Sequence, residues 1–229
     1  MTQVAVISDV HANLEALEAV LRQTKGMTIY CLGDLVDYGA NPNEVVERVT
    51  KEAAVVILGN HDHAVITGDA SLFNAKAAIS SNWTRQHLTR ESIDFLKGLP
   101  KERRLELDGI SSYFTHGSPD DQLWEYVYPS THHLLFGHYL KKLGVRCIGV
   151  GHTHVPFVWE EEGGVVFNPG SVGQPRDGDW RASFAVLSAE GRDVSVEIRR
   201  VEYDVEGAAA MIRAAGLPEV FAERLATGS

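Results

Sequence analysis

The chain has 229 residues, with 44% apolar and 23% charged side chains and a formal net charge of −10. That is enough chain for one domain with a sizeable core, here residues 1–229. The acidic balance argues against a broad nucleic-acid surface, which needs Lys and Arg against phosphates. No apolar run approaches about 20 residues, so no membrane span is expected. The N-terminus reaches Asp9 too early for a signal peptide, and two cysteines read as reduced core thiols. A cytoplasmic protein is expected.

The first stretch is Val4-Ala5-Val6-Ile7-Ser8-Asp9-Val10-His11. It reads as a buried strand that ends at a carboxylate, with an imidazole two residues on. In an extended segment, residues i and i+2 point the same way, so Asp9 and His11 are expected to reach one bound atom. Residues 13–21 follow as an amphipathic helix with Leu14, Leu17, Val20 and Leu21 on one stripe. Thr28 to Leu32 is a second strand, ending at Gly33-Asp34. Pro42 opens a helix to about Lys51. Val55 to Leu58 is a third strand, ending at Gly59-Asn60-His61-Asp62. Three parallel strands would thus deliver polar side chains at their carboxyl ends, where open α/β sheets bind ligands.

Residues 72–99 read as one long helix or two shorter ones, stopped by Pro100. A hairpin turns at Asp108-Gly109, and its second arm ends at His116-Gly117. Residues 118–129 are irregular, with Trp124, Tyr126 and Tyr128 as core anchors or a stacking platform. A helix is expected over 131–143. Arg146 to Val150 is a strand ending at Gly151-His152-Thr153-His154. Short strands over 155–159, 164–168, 181–187 and 194–201 are expected to form a second sheet. Two helices, at 205–215 and 218–225, close the chain.

Asp9, His11, Asp34, Asn60, His61, His116, His152 and His154 therefore gather at strand ends. Carboxylate, imidazole and amide oxygen suit borderline and hard divalent ions. The number of ligands exceeds one tetrahedral ion and suits two ions sharing a carboxylate. A single histidine of this kind is more often a structural hydrogen-bonding residue. His87, His132, His133 and His138 are read that way, away from the strand ends.

The order Asp9-x-His11, Gly33-Asp34, Gly59-Asn60-His61-Asp62, His116-Gly117 and Gly151-His152-Thr153-His154 resembles the calcineurin-like metallophosphoesterase family. The likeness runs over residues 4 to about 180 and is greatest to its small bacterial and archaeal phosphodiesterase branch, including Asn168-Pro169-Gly170-Ser171-Val172-Gly173-Gln174-Pro175-Arg176. It implies a four-layer αββα sandwich of two mixed β-sheets flanked by helices. It implies one metal on Asp9, His11, Asp34 and His154, and a second on Asp34, Asn60, His116 and His152. His61 would be the catalytic histidine, with Asp62 orienting it. Asn13 and Arg176 are candidate substrate contacts. Their rivals are a helix cap for Asn13 and pairing with Asp177 or Asp179 for Arg176.

The expected activity is phosphoester hydrolysis, with phosphodiesters first, by attack of a hydroxide held between the ions. A phosphomonoesterase or dinucleoside-polyphosphate hydrolase is the alternative, and a non-catalytic scaffold the distant third. Two divalent ions are expected, Mn²⁺ first, with Fe, Ni, Mg or Zn as alternatives. The expected partner is a small phosphorylated substrate, with a second copy of the chain as an open question.

Overall fold

The computed structural model describes residues 1–130 and 133–229; the side chains of His133 and Leu134 also lie outside the described set. Ten strands and eight helices are described in chain order. They are β1 (Thr2–Ile7), α1 (Leu14–Gln23), β2 (Thr28–Cys31), α2 (Pro42–Glu52), β3 (Ala53–Val56), α3 (Asn60–Thr67), α4 (Ala75–His87), α5 (Arg90–Lys97) and β4 (Glu102–Leu107). Then follow β5 (Ile110–Thr115), α6 (His133–Leu143), β6 (Cys147–Gly149), β7 (Phe157–Glu161), β8 (Gly164–Asn168), β9 (Ala182–Glu190), β10 (Asp193–Val201), α7 (Val205–Ala214) and α8 (Glu219–Thr227).

Two five-stranded mixed sheets pack face to face, in the orders β10-β9-β1-β2-β3 and β4-β5-β6-β8-β7. The alternation along β1 explains the layering. Ala5 and Ile7 join the core under α1 and α2, with Leu17, Val20, Val45 and Val49. Val4 and Val6 point the other way, to the layer between the sheets, against Phe114, Cys147, Phe167 and Leu187. Side chains of opposite parity on one strand thus fill two cores. On the outer face of the second sheet, α6 buries Phe136, Tyr139 and Leu140 over Ile148 and Val166. A fourth cluster joins α7 and α8 to α4 through Ala208, Ile212, Phe221, Leu225 and Ala77, with Tyr38 inside it. The result is the expected αββα sandwich.

One expectation on topology is corrected. The last two strands do not join the second sheet. β9 lies antiparallel against β1, and β10 lies outside β9. Strand pattern fixes which face is buried, but not which edge a strand pairs with. The 72–99 region forms two helices, α4 and α5, broken at Leu88 and Thr89, where Thr89 caps α5 by accepting from Ser92 N–H. Residues 60–67 form an additional helix, α3, so Asn60 and His61 open a helix rather than only ending a strand. Cys31 and Cys147 are buried free thiols, pushed up by burial. No helix among the described residues is long and apolar enough to cross a membrane. The expected start of α6 at Thr131 and His132 lies outside the described residues, as does the side chain of His133.

Candidate metal centre

The loops after β1, β2, β5, β6 and the segment before α3 meet at one end of the two sheets. β1 stops at Ile7, and Asp9 and His11 then take positive φ, 53° and 48°. So the extended-strand reason for their convergence does not hold. The chain coils left-handed, and both side chains turn to one point. Asp34, His152 and His154 also have positive φ, a conformation that costs non-glycine residues about 1–3 kcal/mol each. Such strain persists only where the surroundings over-determine it. Here Asp9 N–H donates to Gly33 O and His11 N–H to Asp34 O, which ties the first two loops together. Gly59 packs against Asp34 so tightly that a Cβ there would strike its backbone nitrogen and carboxylate.

Two buried groups result. Asp9, His11 and His154 form one, and Asp34, His116 and His152 the other, each with its ligand atoms within 4.8 Å of one another. Asn60 Oδ1 joins the second group, 3.0 Å from His116 Nε2. All seven positions expected as ligands are therefore gathered, and all are at most 5% exposed.

The protons are arranged for metal. His11, His116 and His154 each place Nδ1 against a backbone carbonyl, of Val36 (2.9 Å), Leu32 (2.7 Å) and Gln174 (2.6 Å). With Nδ1 as the donor, each Nε2 presents a lone pair inward. His152 is reversed. Its Nε2 faces Trp124 O at 3.2 Å, which leaves Nδ1 for the cluster. The two lone-pair nitrogens of His11 and His154 then stand only 3.1 Å apart, and Asp9 Oδ1 and Asp34 Oδ2 are buried with no hydrogen-bond donor. Such a collection of inward acceptors is unfavourable unless cations lie among them. The two His/Asp groups fit a dinuclear divalent metal site.

Burial and mutual charge shape the ligands' titration. Burial pushes Asp9 up to about 6 and His152 down to about 3, and holds His11 and His154 well below the ordinary imidazole value. For Asp34 and His116 burial acts against the charged forms, but their mutual attraction wins. Asp34 lies well below the carboxylate range and His116 rises to about 9. Without a cation the two would pair, Asp34 Oδ2 to His116 Nε2 at 3.2 Å; a bound cation would take the place of that proton and leave Nε2 free as a ligand.

His61 lies beside the cluster. Its backbone N–H donates to Asp34 Oδ1 at 2.8 Å, but its ring does not belong to either ligand group. Nδ1 faces Asp37 Oδ2 at 2.8 Å, and Nε2 faces the Tyr38 hydroxyl at 3.1 Å. The expectation that Asp62 orients this ring is corrected. Asp62 instead accepts from the backbone N–H groups of Gly59, Asp34, Leu35 and Val36. It fastens the Asp34 loop to the start of α3, with its carboxyl raised to about 7 by burial and the nearby Asp34. Asp37 is the residue the sequence reading missed. Its signal is a carboxylate inside the apolar run Leu35-Val36-Asp37-Tyr38, where a buried acid must find a donor or a cation.

Asn13 has the geometry of the helix cap. Its Oδ1 accepts from Ala16 N–H and its Nδ2 donates to Gly173 O, so both ends of the amide are spent on backbone. Arg176 goes the other way. Asp177 pairs with Arg200 and Asp179 with Arg181, so neither rival acid holds it. Its guanidinium lies 5.7 Å from the Tyr38 ring centre and donates to Gln174 Oε1. Arg176, Asn60, His61 and His152 line one open cleft of about 430 Å³, walled by Phe73, Trp124 and Tyr126. Phe73 stacks on His61 at 4.3 Å and Tyr126 on His152 at 4.0 Å. The aromatic loop thus forms a wall of the cleft instead of a core anchor. His87 stacks on Trp83 at 4.0 Å, the expected structural role.

Residues 2–192 match the model of the calcineurin-like phosphoesterase superfamily domain. The chain belongs to this superfamily. It is 40% identical to the Uncharacterized protein MJ0912 of Methanocaldococcus jannaschii, over 99% of this chain and 98% of that one. It is 27% identical to the phosphodiesterase YfcE of Escherichia coli, over 82% of this chain and 88% of that one. The crystal structure of a metallophosphoesterase from Sphaerobacter thermophilus superposes with a TM-score of 0.85 at 38% identity, covering 100% of this chain and 99% of the other. Membership makes this calcineurin-like chain a phosphoesterase, a hydrolase with a metal-binding site.

Proposed function

We propose that the chain hydrolyses phosphodiesters with two divalent ions that share Asp34. The observation that carries this is the position of Asp34 Oδ2. It lies 3.2 Å from His116 Nε2 in one ligand group and 3.6 Å from His11 Nε2 in the other, with no donor of its own. Were cations held by both groups, Asp34 is the carboxylate both would have within reach.

When bound, such ions supply Lewis acidity and a water of lowered pKa. The protein does the rest. His61, backed by the buried carboxylate of Asp37, can carry positive charge or a proton at Nε2, on the side that faces the cleft and Tyr38. It stabilises the phosphoryl oxygens or protonates the leaving oxygen. Arg176 adds a fixed cation above the phosphate. Phe73, Trp124 and Tyr126 exclude water from one side and accept an apolar leaving group.

A diester is favoured over a monoester because the cleft is open and walled by rings, with room for a substituent on either side of phosphorus. The name of the relative YfcE supports the same choice. Mn²⁺ is our choice of ion, since mixed His, carboxylate and amide oxygen ligands suit it. The two reduced thiols accord with a cytoplasmic setting. The scaffold reading would expect missing ligands, and all seven positions are filled.

The test is hydrolysis of bis(4-nitrophenyl) phosphate by chelator-stripped protein as Mn²⁺ is restored, beside 4-nitrophenyl phosphate. The proposal expects turnover that saturates near two ions per chain and a higher kcat/KM for the diester. Saturation at one ion, or a clear preference for the monoester, would overturn it.

A further inference from the structure

The cleft holds a second arginine that comes from outside the matched family domain. The match ends at residue 192, whereas Arg224 lies on α8 (Glu219–Thr227). The helix docks through Phe221 and Leu225, buried in the cluster with Tyr38 and Ala77. The Phe221 and Tyr38 rings are 4.8 Å apart. Tyr38 in turn touches His61. The α7–α8 hairpin is therefore packed on the back of the catalytic histidine's partner, and Arg224 lines the same cleft as Arg176, Asn60 and His61.

Among the described residues, neither Arg176 nor Arg224 has a carboxylate within the 4.0 Å of a salt bridge. Other arginines also lack an acid, but these two line one cleft together with Asn60 and His61. Arg176 Nε is buried with no acceptor at all. Burial and the charge of Arg176 both push the Arg224 guanidinium down from its usual value, so the two cations feel each other. Two neighbouring cations kept free of acids cost energy unless an anion joins them.

The anion of a simple diester does not account for both. Two divalent ions over Asp9 and Asp34 leave the metal cluster cationic already. We infer that the cleft binds a nucleotide-type phosphodiester or anhydride that carries a second phosphate, held by Arg224 with Arg176, while Phe73, Trp124 and Tyr126 take its base. Guanidinium forks match phosphate oxygens. Base stacking on aromatic rings supplies sequence-tolerant affinity. The inference rests on the phosphodiesterase reading and narrows its substrate class.

The test compares substrates that differ only by the second phosphate. These are the dinucleotide ApA against its 5′-phosphorylated form pApA, compared in turnover with the Mn²⁺-loaded full chain, and AMP against ADP, compared in binding to the Mn²⁺-loaded chain because they are cleaved at different bonds. The chain with native Arg224 is expected to favour the phosphorylated member of at least one pair by about tenfold or more, in kcat/KM for the dinucleotides or in Kd for the mononucleotides, the worth of one charge-assisted hydrogen bond. Arg224→Gln is expected to abolish that preference through KM or Kd, and Arg224→Lys to keep part of it. A preference seen only with pApA assigns dinucleotides, and one seen only with ADP assigns the anhydride. An unchanged ratio in Arg224→Gln, or no preference in the wild type, overturns the inference. Calorimetric binding of the same ligands to Mn²⁺-loaded His61→Ala separates the two readings. Arg224-dependent binding in a protein whose wild type turns over no diester would sink the phosphodiesterase reading and keep the second-phosphate site. Turnover of bis(4-nitrophenyl) phosphate without Arg224-dependent discrimination would do the reverse.

Discussion

Replacing Asp37 by asparagine tests whether the carboxylate on His61 is the one at residue 37. Asp37 is fully buried, and its Oδ2 lies 2.8 Å from His61 Nδ1. Asparagine keeps the shape and an acceptor oxygen but loses the charge. A hydrogen bond to a charged group contributes about 1.5–3 kcal/mol. At about 1.4 kcal/mol per tenfold, a step that needs positive charge on His61 should slow roughly 10- to 100-fold. Among the described residues no hydrogen bond or ion pair joins the Asp37 carboxylate to either ligand group, so metal content and Tm should stay near wild type. Asp62→Asn is the control. Its amide would face backbone N–H groups that now donate to Asp62, at a cost of about 2–4 kcal/mol. In a chain of this length that lowers Tm by roughly 5–15 °C, and the Asp34 loop should lose metal. The assay is kcat on bis(4-nitrophenyl) phosphate, metal per chain by plasma mass spectrometry and a thermal melt. Wild-type kcat in Asp37→Asn, or a kcat loss in Asp62→Asn with metal and Tm intact, would refute the assignment.

His61→Ala should retain two ions per chain and lose about 10²–10⁴-fold in kcat; full turnover would remove His61 from the chemistry. Gly59→Ala places a methyl against the backbone and carboxylate of Asp34, so the variant should lose metal and stability together, read by metal content and a melt. Chelation should lower Tm and Mn²⁺ should restore it in a concentration-dependent way, because ions that bind only the folded chain stabilise it by mass action. A melt insensitive to Mn²⁺ would contradict the site. Tyr139 and Tyr203 are pushed up to about 12 by burial. Unfolded tyrosines ionise near 10, so above that pH the unfolded chain binds fewer protons than the folded one and stability falls as pH rises. Phenolate absorbance at 295 nm beyond that of the exposed Tyr126 and Tyr128 should therefore appear together with unfolding; complete phenolate formation in a chain that stays folded would contradict it.

The sequence alone determined which metal-ligand-type groups the chain carries. Asp9, His11, Asp34, Asn60, His116, His152 and His154 stand beside strand ends and glycines, and a strand that stops at a ligand-type residue leaves a local mark in residue order. It also determined the two-sheet class, since alternation and turn residues are local. Only the tertiary structure decided which partners those residues take. The pairing of β9 with β1 joins residues that are far apart in the chain, and nothing in a strand's own pattern names its neighbour. Asp37 and Asp62 are both acids near glycines, and only packing put one on the His61 ring and the other on four backbone N–H groups. Asn13 was spent on a cap once Gly173 came to lie beside it. Arg176 was freed once Arg200 and Arg181 took the acids next to it. Arg224 is beyond reading from sequence for the same reason. A guanidinium on a C-terminal helix reads as a solvated face until Phe221 and Leu225 dock that helix on Tyr38. Residue order sets which groups exist, while burial and long-range contact set which of them are left without a partner.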